Sequence, residues 1–108
     1  MMEIKKMILA IVQRIPTALD ASTRVTGSFL FIVHGAFEGE WTIVVKDGDC
    51  EIYEGSIGEI NTVIKIDAGN LMDAVSTKES LENLIIDEVI EVEGDRELAK
   101  RFLGDIEF

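Results

Sequence analysis

The sequence predicts an α/β domain of the α+β kind, a five-stranded sheet with helices packed on one face. Two observations carry that prediction. The stretch Trp41 to Gly55 alternates apolar and polar residues on either side of Asp47-Gly48, the strongest short-range signal for a β-hairpin. Both ends of the chain carry apolar residues at helical spacing, so helices are available to cover that hairpin, which is marginal alone. At 108 residues the chain is expected to form one domain, 1–108, burying ~60–70% of its unfolded surface without staples.

Taken in order, Ile4, Met7, Ile8, Ile11, Val12 and Ile15 form one stripe, with Glu3, Lys5, Lys6, Gln13 and Arg14 off it. This predicts a helix from Met2 to Ile15, ended by Pro16. Thr17 to Arg24 is small and polar and reads as a loop containing at most a short helical turn. Val25 to His34 contains the run Phe29-Leu30-Phe31-Ile32-Val33 between Gly27 and Gly35, as expected of a strand buried on both faces. One face can be covered by helices; the other then needs a second protomer, an apolar ligand or a folded-over segment.

In the hairpin, a two-residue loop pairs Val45 with Cys50, Ile43 with Ile52 and Trp41 with Glu54 on one side. Lys46 with Asp49, Val44 with Glu51 and Thr42 with Tyr53 make up the other. After a loop from Gly55 to Glu59, Ile60 to Asp67 alternates as a fourth strand, and Asp67 suits a helix N-cap. Leu71, Met72 and Val75 mark a short helix, and Ser76 with Glu79 makes a capping-box pattern for another carrying Leu81, Leu84 and Ile85. Val89 to Glu93 is the fifth strand, ending at Gly94. Asp95 caps a last helix with the stripe Leu98, Ala99, Phe102, Leu103 and Ile106.

Composition excludes several function classes. A net charge of −11 with no basic stripe argues against nucleic acid. The acidic surplus lies beyond Ala36, since the preceding residues carry Lys5, Lys6, Arg14 and Arg24 against Glu3 and Asp20; scattered carboxylates of this kind read as a solvated face. No apolar run approaches the ~18 residues of a membrane span, so stable membrane insertion is not expected, and the absence of a signal-peptide pattern points to a cytoplasmic protein. The lone Cys50 reads as a small buried hydrophobe.

Catalytic sets are missing, so the chain is not expected to be an enzyme. His34 has no nucleophile or ligand partner within the pattern. Asp47, Asp49 and Glu51 lack the further ligands of a calcium loop, and no phosphate loop or nucleophile elbow is present. Neither metal nor cofactor is expected.

A resemblance adds to this reading. Gly39-Glu40-Trp41, Lys46 to Cys50, Tyr53-Glu54-Gly55, Asn61 to Ile66, Asn70-Leu71-Met72, Val92 to Asp95, Leu98-Ala99 and Phe102-Leu103, in this order and spacing, resemble the sterol carrier protein 2 family over Val25 to Leu103. The resemblance implies a mostly antiparallel five-stranded layer and a non-catalytic carrier of an apolar lipid-like ligand, a fatty acyl chain, acyl-CoA, sterol or isoprenoid. It implies a tunnel between sheet and helices, lined here by Phe29, Phe31, Trp41, Ile43, Met72, Leu98, Phe102 and Leu103. The alternative is a dimerisation or accessory module, in which Phe29 to Ile32 meet a homodimer mate or a partner enzyme. Where the family commonly shows Gly-Lys and alternating basic residues on the last strand, this chain has Glu88, Val89, Glu91 and Glu93, which argues against an attraction to anionic head groups or membranes. The peroxisomal Ser-Lys-Leu-like ending is replaced by Ile106-Glu107-Phe108.

Overall fold

The hairpin forms in the register its alternation dictates. A computed structural model describes residues 3–108, with β2 (Gly39–Lys46) and β3 (Asp49–Glu54) paired from Trp41↔Glu54 to Lys46↔Asp49. Asp47 and Gly48 take φ of 52° and 82°, the two positive values that a two-residue turn matching the strand twist requires. A Cβ on Gly48 would also lie 2.7 Å from the Ala21 carbonyl oxygen, so the turn is docked as well as bent.

Around this hairpin stand α1 (Ile4–Ala18), β1 (Gly27–His34), β4 (Thr62–Asp67), α2 (Ala68–Ser76), α3 (Leu81–Ile86), β5 (Glu91–Gly94) and α4 (Arg96–Gly104). The five-stranded sheet has the order β3-β2-β1-β4-β5. Its neighbours are antiparallel except β1 and β4, which run parallel with Phe31 opposite Ile64. Phe29, Phe31, Val33, Trp41, Ile43, Val45, Ile64 and Ile66 are buried on one face. There α1 meets β3 and α2, while α2 and α4 pack on β4. Each such large side chain contributes roughly 1.5–3 kcal/mol by leaving water.

Caps fix two helices where the sequence placed them. The Asp67 carboxylate accepts from the N–H groups of Gly69 at 2.8 Å and Asn70 at 3.3 Å, and Asp95 accepts from Leu98 N–H at 3.0 Å. Other boundaries differ from expectation. Pro16 does not end α1, which runs on to Ala18; in the final turn its missing N–H removes one hydrogen bond without stopping the coil. The predicted start at Met2 lies outside the described residues. Ser76 is the last residue of α2, its hydroxyl donating back to the Asp73 carbonyl, and α3 begins after Ser80 instead. The last two strands start at Thr62 and Glu91, later than their alternation suggested. Ile106 lies beyond α4 and bridges to Leu19, where Glu107 N–H and the Ala18 carbonyl, 2.9 Å apart, fasten the end of the chain to the end of α1.

The strand β1 is fully buried on one face only. Phe29, Phe31 and Val33 are buried, whereas Leu30 and Ile32 are half-buried on the other side with Val44 and Val63. The cover on that side is a folded-over segment. Because β3 lies at one edge and β4 beyond β1, the link from Gly55 to Asn61 must cross β2 and β1. Thr42, on this outer face, ties the link down: its hydroxyl donates to the Gly55 carbonyl at 2.6 Å and accepts from Ile57 N–H at 2.9 Å. Asn61 then pairs with Ser28 through both its amide side chain and its backbone N–H.

Candidate ligand-binding site

Two kinds of concavity flank the helical layer. The larger cleft, about 730 Å³, lies between the end of α1, the turn from α2 to α3 and the last residues of the chain. Its walls include Asp20, Lys78, Glu79, Asp105 and Glu107, charged groups that keep their water and offer an apolar ligand nothing. A smaller cleft of about 350 Å³ runs between α1 and the hairpin, lined by Leu9, Val12, Gln13, Pro16, Trp41, Ile52 and Glu54. That volume is at the lower end for small-molecule sites, and an apolar wall with a few polar groups is their usual make-up.

Each wall has a local cause. Leu9, Val12 and Pro16 recur at helical spacing on α1, so they share the edge of the helix that overhangs the sheet. Trp41, Glu54 and Ile52 come from the hairpin's inner face, where Trp41 and Glu54 are cross-strand partners. Val12 and Trp41 also belong to the hydrophobic core, so the floor of the cleft is continuous with the interior. Phe37 leans on the Trp41 indole with ring centroids 6.4 Å apart.

The eight residues expected to line a tunnel divide by position. Trp41 is the one that lines the small cleft. Phe29, Phe31, Ile43, Phe102 and Leu103 are within 1% of complete burial, and Phe29 stacks directly on Phe102. Met72 on α2 and Leu98 on α4 are half-buried at the margin of the same core. The other lining residues, Leu9, Val12, Gln13, Pro16, Ile52 and Glu54, were not among those expected from the sequence. The hairpin register already placed Ile52 and Glu54 beside Trp41, but the helix edge that meets them is set by tertiary packing.

The remaining chemistry is sparse. No group of three or more His, Cys, Asp or Glu side chains that could hold a metal occurs among the described residues. His34 is exposed at the end of β1, opposite Asp67, whose carboxylate is engaged in capping α2. Cys50 is half-buried; burial, with the Glu51 charge adding to it, pushes its thiol up to about 11, the reverse of an activated nucleophile. Among the described residues no helix is long and apolar enough to cross a membrane.

Comparison with known proteins places the fold. Residues 8–106 match the SCP-2 sterol transfer family. Among solved structures the chain is similar to sterol carrier protein 2 like 2 from Aedes aegypti, with a TM-score of 0.76 at 17% identity, covering 96% of this chain and 100% of that one. Palmitated SCP2L2 from the same organism matches with a TM-score of 0.67 at 18% identity, over 94% of this chain and 92% of the other. UbiJ-SCP2, a ubiquinone synthesis protein, matches with a TM-score of 0.63 at 20% identity, over 95% and 91% respectively. At such identities the likeness establishes the fold. No curated protein matches significantly in sequence.

Proposed function

Because the chain belongs to the SCP-2 sterol transfer family, we propose that it binds and carries an apolar lipid-like ligand, without catalysing a reaction on it. The observation that supports this most directly is the apolar cleft beneath α1, whose floor residues Val12 and Trp41 are also core residues. A ligand tail enters between Leu9, Pro16 and Ile52 and reaches further by parting α1 from the sheet, toward Ile43, Phe31 and Phe29. The inner wall is then the stripe Leu98, Phe102 and Leu103, with Met72 as an adaptable margin. The start of the helix is the end that can part. The start of α1 carries neither a side-chain cap nor an acidic residue in its first turn, whereas its end is fastened to residues 106 and 107.

The test is uptake. Native mass spectrometry of the purified protein should show co-purifying lipid, and a bound fluorescent fatty acid should be displaced by unlabelled lipid. Replacing Leu9 or Ile52 with Asp should abolish that displacement while the protein remains folded. Wild-type protein that takes up no lipid and no apolar probe would overturn the carrier reading and leave the resemblance one of fold.

A second role, as an accessory module for another protein, draws on the half-exposed apolar residues Leu30, Ile32, Val44 and Val63 of the outer sheet face and on the likeness to a ubiquinone synthesis protein. Light scattering with and without lipid separates the two. A monomer that takes up lipid is the expected result, and a tight dimer indifferent to lipid would favour the module.

A further inference from the structure

We propose that the cleft selects its ligand by head group, taking amphiphiles with a cationic, ammonium-type head over carboxylates, and that Glu54 is the residue that selects. This rests on the carrier reading of the same cleft. Glu54 is the one ionisable side chain among the residues that line it. It stands directly across from Trp41 on the inner face of the hairpin, so an exposed carboxylate borders the cleft whose floor the indole helps to form.

Among the described residues no basic side chain pairs with it. Neither ion pair formed among the described residues involves Glu54; they join Lys65 to Glu93 and Lys100 to Glu97. The basic residues of α1 are not in the cleft wall, and Arg14 lies over the Phe108 ring, 5.3 Å from its centroid. Gln13 completes the rim, a neutral group able to donate or accept.

An apolar tail on Leu9, Val12, Pro16 and Ile52 therefore brings its head beside an exposed carboxylate that neither ion pair engages. An ammonium head gains from that charge. A carboxylate head meets a like charge, and the lining side chains include no cation to offset it.

The experiment uses the intact chain and three ligands with the same twelve-carbon tail, namely dodecyltrimethylammonium, 1-dodecanol and dodecanoate, below their micellar concentrations. Trp41, the single tryptophan, reports occupancy through its emission. The expected order is ammonium, alcohol, carboxylate, with about tenfold between first and last. Glu54→Gln should bring the two charged ligands to nearly equal affinity. Glu91→Gln removes the same charge on the edge strand β5, away from the cleft, and should leave the ratio unchanged. Dodecanoate binding as tightly as the ammonium, or the two variants shifting the ratio alike, would overturn the head-group selection while leaving the carrier reading intact. If not even dodecanol perturbs Trp41, the cleft holds no tail and both fall.

Discussion

The rings of Phe29 and Phe102 stack with centroids 4.2 Å apart and planes 12° from parallel, joining β1 to α4 through the centre of the molecule. Both are completely buried. Phe102→Ala should therefore cost about 3–5 kcal/mol in denaturant melts of ligand-free protein, the sum of lost transfer energy and the cavity left behind. A much smaller loss accompanied by weaker lipid uptake would mean that the ring faces ligand space rather than filled core.

The hairpin turn yields a sharper contrast. Gly48→Val should destabilise by about 1–3 kcal/mol, because a β-branched residue is forced to positive φ and its Cβ presses on the Ala21 carbonyl. Asp47→Asn should be tolerated, since Asn accepts the left-handed conformation that Asp47 already holds. Thermal melts of the pair check both; equal stability of Gly48→Val and wild type would mean that the turn does not require glycine at this position.

Cys50 should be slow to alkylate. With its thiol held near 11 by burial and the neighbouring Glu51, the thiolate is scarce at pH 8, and modification by iodoacetamide should run at least tenfold slower than in the unfolded chain. The same shift links to stability. The folded state favours the protonated thiol, so its contribution is fully present below the unfolded pKa of ~8.5. It is lost as pH rises through about 11. A Cys50→Ala protein should lack that component of alkaline destabilisation.

How far the sequence revealed this molecule depends on the kind of signal each part carries. The hairpin register was legible residue by residue, because a period of two and a two-residue turn leave a single pairing that keeps Ile43, Val45 and Ile52 on one face. The caps Asp67 and Asp95 were legible because their carboxylates act on N–H groups two or three residues away. Pro16 and Ser76 misled for a related reason, since each is a local signal that the last turn of a helix can absorb. The strap over the outer face was not legible. Its anchor, Thr42, reads in sequence as one more polar residue of an alternating strand, and its partners Gly55 and Ile57 become neighbours only once β4 lies beyond β1. The cleft was half legible: Trp41 stood out, but the edge of α1 that completes it is decided by packing.

Two threonines test whether polar groups are accounted for correctly. Thr42 is fully buried, and its hydroxyl satisfies both the Gly55 carbonyl and the Ile57 N–H. Thr42→Val keeps the shape and deletes both bonds, so it should cost about 1–3 kcal/mol, and amide exchange at Ile57 should accelerate as the strap loosens. Thr62 is 1% exposed on the opposite, helix-covered face, and its Oγ1 has no hydrogen-bond partner among the described residues. Here the same change removes a buried polar atom that is not compensated, so Thr62→Val should leave stability unchanged or raise it by roughly 1 kcal/mol. The substitutions are chemically identical and opposite in expected sign, so the contrast reports the hydrogen bonds at each site rather than the change of side chain itself. Paired urea melts decide it: if Thr62→Val destabilises as much as Thr42→Val, the Thr62 hydroxyl has a partner in solution and the two faces of the sheet are not divided as described.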